Sequence, residues 1–323
     1  MSITSDQTVE ALRAAGEQTR LRILALLSRE ELAVLELTGI LGQSQPRVSR
    51  HLKVLADAGL VERFPDGAWV FYRLAGPGPT RDLIETALRM VSPADATIKR
   101  DAERLAGVAA ERASEAQRYF ADNAGQWDQI RSLYVAEADV EAAILAAAGE
   151  GPFRRLVDLG TGTGRMLTLL GPRAESAIGL DLSRQMLNIA RSRVAEARLP
   201  TCELRHGDML SVGLQDGEAD LVVAHQVLHY LSEPAAAVAE AARLVAPGGR
   251  LVLVDFAPHD LEYLRAEHQH RRLGFLDDEI ARWAAAAGLG KLETVALAPS
   301  TPRGLTVKVW TAHRPAERIR RVA

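Results

Sequence analysis

A single cysteine, Cys202, stands in a chain of 323 residues, so neither a disulfide framework nor a multi-thiolate metal site can form within one polypeptide. That usage fits a reducing compartment. Long apolar runs are missing too. No stretch of about 18 apolar residues occurs, and the opening MSITSDQTVEALRAAG lacks the basic-then-apolar order of a secretory signal. The expectation is a cytoplasmic protein with no membrane partner. Positive charge is not in excess either. A formal net charge of -3 argues against a protein that coats nucleic acid by bulk charge, so any DNA binding has to come from a local patch. Internal repeats and low-complexity tracts are absent. What remains is 47% hydrophobic and 25% charged, the balance of a folded chain of about two domains, each long enough to bury a core.

The texture changes along the chain. Residues 1–74 carry helical apolar patterns that end in a β-like run, and GPGPT at 76–80 closes the region with two glycines and two prolines. Residues 81–148 are rich in Ala, Glu and Arg. Within them Ile98, Ala102, Leu105, Ala109, Ala113, Ala116 and Phe120 recur at steps of three and four, which predicts one amphipathic connecting helix. From Leu156 onward short apolar runs alternate with helical stretches, the βαβ texture of a parallel sheet covered on both faces. The expected organisation is a domain over 1–80, a helical connector or dimerisation segment over 81–117, and a second domain over 118–323.

In LGQSQPRVSRHLKVLADAGLVERF, Gly42 closes one helix, Ser44 is placed as an N-cap, and Pro46 falls in the first turn of a second helix that starts near Gln45. Val48, Leu52 and Leu55 follow i, i+4, i+7 and face a core, which leaves Gln45, Arg47, Ser49 and Arg50 on the opposite side. Arg and Gln can make bidentate contacts to base edges, Ser and Arg can hold phosphates, and no acidic residue occurs from Leu37 to Ala56 to repel DNA. His51 flanks the core stripe and suits packing or a phosphate contact equally. Beyond Gly59, LVERFPDGAWVFYRL sets two short apolar runs around Asp66-Gly67, a hairpin signal that reads as a wing, with Arg63 on its first strand as a further DNA contact. A basic helix face alone is most often merely solvated. Turn, helix and wing together point to DNA.

The block SQPRVSRHLKVLADAGLV followed by this hairpin resembles the ArsR/SmtB family of winged helix-turn-helix regulators over roughly residues 8–75. The resemblance implies a homodimer on double-stranded operator DNA. It also exposes an absence. Metal-responsive members carry a Cys-x-Cys pair in a segment of the form ELCVCDL, whereas ELAVLEL here has Ala33 and Leu35 at those positions. The helix after the wing, TRDLIETALRM, offers carboxylates but no histidine to complete a zinc site. No metal is expected in the family's usual places, so an effector enters elsewhere or the unit binds DNA without one.

The second half supplies a candidate. RRLVDLGTGTGRMLTLL runs a strand into a glycine-rich turn, Gly160-x-Gly162-x-Gly164, and on into an apolar helix, and glycines there let the backbone approach a ligand closely. Twenty-one residues past Gly160, SAIGLDLSRQML places Asp181 at the end of the next apolar strand, where a carboxylate can accept from both ribose hydroxyls. CELRHGDML then puts Asp208 after a third strand, ADLVVAHQVLHYL makes a fourth that ends near His225, and RLVAPGGRLVLVDF adds a helix, a Pro-Gly-Gly turn and a fifth strand.

This order resembles the class I S-adenosylmethionine (SAM)-dependent methyltransferases over roughly residues 118–313. DLGTGTG with a later GD pair and APGG separates them from dinucleotide enzymes, whose fingerprint reads G-x-G-x-x-G. Together the two resemblances imply an α+β winged helix-turn-helix followed by an α/β Rossmann-like class I methyltransferase fold on a mostly parallel seven-stranded sheet. Carried over to this sequence, Gly160, Gly162 and Gly164, with Asp158 and Thr161 in the same turn, cradle the methionine moiety. Asp181 holds the ribose. Leu182 and Met186 pack on the adenine, Asp208 accepts from its exocyclic amine with Met209 beside it, and His225 lies near the sulfonium. The alternative for Asp181 and Asp208 is a strand-end carboxylate that caps a helix or turn.

The methyl acceptor is not legible. The Asn-Pro-Pro-Tyr type motif of amine-methylating DNA enzymes is replaced by Ala224-His225-Gln226-Val227, and arsenite methylation needs more thiolates than one cysteine supplies. His225 is the first candidate base, followed by His229, His259, His268 and His270; His225 and His229, four apart, are more often packing or capping groups than a metal pair. APHDLEYLRAEHQHRRLGF follows the fifth strand and is expected over the open cleft. The preferred reading is a transcription regulator with SAM or S-adenosylhomocysteine (SAH) as effector. It resembles ArsR-type regulators of methionine and SAH recycling. The alternative is an active small-molecule methyltransferase whose ArsR unit serves dimerisation or autoregulation. Intact Gly160, Asp181 and Asp208 weigh against a third, a DNA-binding module with a vestigial partner.

Overall fold

The computed structural model describes residues 3–66, 69–76, 78–92, 94–123, 136–299 and 304–316, and the chain divides into two compact units, Met1–Ser114 and Glu115–Ala323. In the first, α1 (Ser5–Ala15) opens with a capping box between Thr4 and Gln7. Glu17 caps α2 (Gln18–Leu27), its carboxylate accepting from Thr19 N and Arg20 N at 3.0 Å each. β1 (Leu32–Ala33) leads into α3 (Val34–Leu41), which Gly42 ends in the left-handed region at φ 66°. α4 (Gln45–Asp57) begins at Ser44 with Pro46 in its first turn, as the sequence predicts. Ser44 caps through its carbonyl, which accepts from Arg47 N and Val48 N, and not through its side chain.

β2 (Val61–Asp66) and β3 (Trp69–Leu74) form the wing hairpin, paired from Val61 with Leu74 to Asp66 with Trp69, and β1 adds to the far side of β3. Gly67, expected in its turn, lies outside the described residues. Of the two positions that stand where cysteines would, Ala33 is buried in β1 and Leu35 is exposed on α3. Among the described residues no group of three or more His, Cys, Asp or Glu could hold a metal ion.

The single helix expected over 81–148 is replaced by α5 (Pro79–Met90), α6 (Ala96–Asn123) and α7 (Glu137–Ala148). The first break has a physical cause. Pro93 lacks the N–H that a continuous helix needs, and Asp95 Oδ1 restarts the helix by accepting from Thr97 N and Ile98 N at 2.9 and 3.0 Å. Ile84 of α5 and Leu105 of α6 are buried in the core of the first unit. Ala109, Ala113, Ala116 and Phe120 of the expected stripe have side chains outside the described residues. Asp101, 2% exposed, fastens α6 to α2: its carboxylate accepts from Arg22 Nε at 2.6 Å and Nη2 at 2.8 Å. Arg104 adds a bond from Nη1 to Ile40 O at 2.8 Å.

In the second unit β4 (Phe153–Leu159), β5 (Ala174–Asp181), β6 (Cys202–His206), β7 (Ala219–His225) and β8 (Val245–Phe256) pair in parallel. β9 (Glu293–Leu297) and β10 (Val307–His313) complete a seven-stranded sheet in the order β6-β5-β4-β7-β8-β10-β9, with β10 antiparallel to both neighbours. Alternate residues serve opposite faces: Val157, Val222 and Leu253 belong to one core, Leu156, Val223 and Val252 to the other. α8 (Arg165–Leu170), α9 (Arg184–Glu196), α10 (Pro234–Leu244), α11 (Tyr263–His268) and α12 (Asp277–Ala286) connect and cover the strands. The Pro-Gly-Gly turn expected before the fifth strand falls inside β8, where the pairing shifts between Ala219 with Val245 and Leu221 with Arg250. Among the described residues no helix is long and apolar enough to cross a membrane.

The Arg22–Asp101 pair sets a stability prediction. Asp101→Ala leaves a guanidinium that is only 12% exposed without its carboxylate, so the first unit should lose about 3–5 kcal/mol, seen as a lower urea midpoint of the full chain. The double change Arg22→Met, Asp101→Leu should recover most of that loss. An unchanged midpoint in Asp101→Ala would show that α6 is held by its apolar contacts and the Arg104 bond.

Candidate functional site

On α4 the three core residues Val48, Leu52 and Leu55 are fully buried, and Gln45, Arg47, Ser49 and Arg50 are exposed together on the other side. Lys53, one turn past Arg50, is exposed as well and extends the basic face beyond what the sequence reading named. Arg63 is exposed on β2. His51 turns away from this face: it is half-buried, with Nδ1 3.5 Å from Glu17 Oε2 at the cap of α2. Burial lowers the His51 pKa, Glu17 opposes that shift, and Arg20, Arg47 and Arg50 add to it. A neutral imidazole there links α4 to α2 without adding charge.

The second surface is the carboxyl edge of the parallel sheet. After β4 the backbone passes through Gly160, Gly162 and Gly164, all left-handed at φ 70°, 53° and 81°. A Cβ on Gly160 would stand 2.5 Å from Val227 Cγ2, and one on Gly164 3.0 Å from Ala190 Cβ, so the loop is drawn tightly onto its neighbours. Asp158, buried, braces it from below: Oδ2 accepts from the Thr161 hydroxyl at 2.6 Å, and Thr161 N donates to Leu180 O at 2.9 Å. Asp181 closes the loop from the side. Its Oδ2 accepts from Gly162 N at 2.8 Å and its Oδ1 from Ser183 N at 2.7 Å.

Each Asp181 oxygen therefore has one fixed backbone donor and a second lone-pair site to spare, at a partly exposed strand end. Enclosure by the strand ends raises the Asp181 pKa, and the bonds from Ser183 N and Gly162 N work against that shift. Such a carboxylate fits a vicinal diol. Leu182, 42% exposed, offers an apolar surface beside it, while Met186 and Met209 are buried and support the edge from within. Asp208 is exposed after β6 with Oδ1 accepting from Leu210 N at 2.9 Å, so it caps a turn in addition to facing the edge. His225 ends β7 partly exposed, and the next residue, Gln226, adopts φ 50°, in the left-handed region that few non-glycine residues take.

Sequence reasoning missed what lies one strand further on. Asp255, fully buried near the end of β8, has Oδ1 2.7 Å from His229 Nδ1 and accepts from His229 N at 3.3 Å and from Phe256 N at 2.8 Å. The segment expected over the cleft is drawn down onto this pair: Arg271 N and Arg272 N donate to His229 O at 2.8 and 3.1 Å, and the His270 ring stacks on His229 with centroids 4.0 Å apart. Burial, then the neighbouring histidines, depress the His270 pKa far below the ordinary imidazole range. No periodicity could have marked Asp255, whose partner lies 26 residues away and belongs to a different connection.

Residues 157–253 match the methyltransferase domain family, and residues 17–63 match the bacterial regulatory proteins of the arsR family. An uncharacterised transposon protein of Streptomyces fradiae is 32% identical over 202 residues, 57% of this chain and 55% of that protein. The chain thus spans about half the length of that relative. A phosphatidylethanolamine N-methyltransferase of Cereibacter sphaeroides is 33% identical over 157 residues, 47% of this chain and 76% of the enzyme. Among solved structures, the complex of a Haloferax volcanii methyltransferase activator with its candidate methyltransferase contains a chain of similar fold, with a TM-score of 0.50 and 21% identity over 61% of this chain and 97% of that one. Residues 17–63 are therefore a helix-turn-helix domain of the arsR type, and through its second unit the chain belongs to the methyltransferases.

Proposed function

We propose that the chain is a DNA-binding transcription regulator whose methyltransferase-fold unit binds SAM or SAH as its effector, with genes of the methionine cycle as targets. The observation that carries this reading is the Asp181 carboxylate, pinned by Gly162 N and Ser183 N at the sheet's switch point, in the same chain as an ArsR-type recognition helix. Asp181 would accept from both ribose hydroxyls, the Gly160–Gly164 backbone would face the methionine moiety, Leu182 and Asp208 would flank the adenine, and His225 would stand nearest the sulfonium. SAM supplies an electrophilic methyl group when bound; SAH is the same molecule without it. SAH is the preferred effector, because a sensor that consumes no donor gains only by telling product from donor. The missing thiolates at Ala33 and Leu35 fit this account: the effector site has moved from the winged helix to the fused unit.

A second reading is an active small-molecule methyltransferase with the ArsR unit serving dimerisation or autoregulation. The Cereibacter enzyme, three-quarters of which this chain covers, favours it.

For DNA, Arg47→Ala should weaken binding to a palindromic duplex selected from random sequence by about 1–3 kcal/mol, the worth of one bidentate base contact. The Arg47→Ala, Arg50→Ala double change should abolish the protected footprint over both half-sites, and an unaltered footprint would defeat the assignment. For the effector, SAH titrated into the anisotropy assay should move the DNA isotherm by about 5–150-fold, and Asp181→Ala should remove that shift. Binding of both SAM and SAH with no movement of the isotherm would transfer the preference to the enzyme reading.

A pH dependence follows from the raised Asp181 pKa. Ribose hydroxyls donate to the ionised carboxylate, so SAH affinity is complete above that pKa and falls by up to about tenfold per pH unit below it, a proton being displaced on binding. Calorimetric titrations across the acid range should show this decline in the native chain and a flat profile in Asp181→Asn. A flat native profile would place the ribose elsewhere.

A further inference from the structure

Along the carboxyl edge the strand ends follow the order β6, β5, β4, β7, β8, carrying in turn Asp208, Asp181, the glycine loop, His225 and Asp255. The first three suit the nucleoside and methionine parts of an adenosyl ligand. A methyl acceptor has to approach the sulfonium from the opposite side, over β7 and β8. That is where the buried pair Asp255–His229 sits.

The pair has a defined polarity. Both Asp255 oxygens accept from backbone N–H groups, Oδ2 from His229 N and Oδ1 from Phe256 N, so the carboxylate is set up as an acceptor, and its 2.7 Å contact with Nδ1 then places the imidazole proton on Nδ1 and leaves the lone pair on Nε2. Nε2 is buried and has no hydrogen-bond partner among the described residues. A purely structural histidine would need only its Nδ1–H to satisfy Asp255; the buried, unengaged Nε2 is unexplained by that role. The surroundings are flat and aromatic: the rings of Tyr230, His270 and Phe256 lie 4.0, 4.0 and 5.2 Å from the His229 ring between centroids. His270 Nδ1 is likewise buried and has no hydrogen-bond partner among the described residues. His270 is neutral, so moving its ring aside separates no charge.

We infer that His229 is a general base for methyl transfer to a hydroxyl acceptor, held in the reactive tautomer by Asp255 as a positioning residue, with the segment 257–275, whose His270 stacks on the imidazole face, closing the site until the acceptor enters. The inference rests on the second reading above, that of an active methyltransferase. The acceptor class follows from the chemistry. An aromatic amine, neutral at pH 7, attacks through a lone pair it already has and loses its proton afterwards to solvent, whereas a neutral hydroxyl gains nucleophilicity only as its proton departs. In the transfer the hydroxyl oxygen forms the new carbon–oxygen bond, the carbon–sulfur bond of the sulfonium donor breaks with its electron pair returning to sulfur, and the hydroxyl proton passes to His229 Nε2. The imidazolium so formed faces the Asp255 carboxylate and returns its proton to solvent when the covering segment lifts.

The test uses the full chain with methyl-tritiated SAM and three acceptor panels: neutral phenols and enols, their nitro-substituted counterparts ionised at neutral pH, and aromatic amines, which are neutral at that pH. His229→Asn keeps an N–H for Asp255 but removes Nε2. It should cut kcat on the neutral hydroxyl panel by about 100-fold or more, leave SAH affinity unchanged, and spare turnover of the ionised panel, which needs no base. A second readout needs neither turnover nor a variant: nitrogen-15 spectra of the unliganded native chain should show the His229 proton on Nδ1 and a bare Nε2. A proton found on Nε2, or equal losses on the neutral and ionised panels, overturns the assignment. Transfer to amines alone leaves the methyltransferase reading standing and removes the base. No transfer in any panel, with SAH still bound, removes both.

Discussion

Parallel pairing of β4 with β5 on one side and β7 on the other is the constraint on which the second unit depends. Once Leu156–Leu159 pair with Ala177–Leu180 and with Leu221–Ala224, the chain must leave all three strands at the same edge, and each connection has to return over a face of the sheet. Groups that are remote in sequence meet there without a dedicated scaffold. Asp181 reaches Gly162 across 19 residues through one backbone bond, and His229 reaches Asp255 across 26. The apolar character of both faces makes the register rigid, since slipping a strand by one residue would drive Asp158 or Asp255 into the opposite core.

The first unit solves a different problem. A chain with a net charge of -3 attracts no DNA as a whole, so the positive face has to be local and held in place. Burial of Val48, Leu52 and Leu55 orients α4, the neutral His51 ties it to the Glu17 cap, and Asp101 with Arg22 anchors the first turns of α6 to α2. Asp101 pairs the Arg22 charge within the core, while Arg47, Arg50 and Lys53 are left outward.

Local signals were legible in the sequence and pairings were not. Gly42 marks the end of α3 and Pro46 the start of α4 because left-handed and proline-compatible backbone positions admit few residue types. The strand end that carries Asp181 was legible because the apolar run before it stops there, whereas the two backbone donors that Asp181 accepts from were not. The helix over 81–148 was misjudged because an Ala-, Glu- and Arg-rich composition runs through the whole stretch, and neither composition nor the periodicity that starts at Ile98 registers the N–H that a proline at position 93 lacks. The Pro-Gly-Gly segment was expected outside β8 because turn chemistry ignores a strand that absorbs an irregularity in its pairing. Asp255 was invisible because a buried carboxylate is explained only by its partner, and His229 was read beside His225, its neighbour in sequence, when its real neighbours are on β8 and the segment after it.

The two units share one polypeptide, and the central claim is that an adenosyl ligand in the second alters the DNA affinity of the first. Linkage makes that claim reciprocal: whatever factor SAH applies to DNA binding, DNA must apply to SAH binding. The direct measurement is calorimetric titration of SAH into the full chain, free and saturated with its selected palindromic duplex. The account predicts two dissociation constants that differ by about 5–150-fold, matching the shift SAH causes in the DNA isotherm. Identical constants with and without DNA, at full occupancy of both sites, would contradict it.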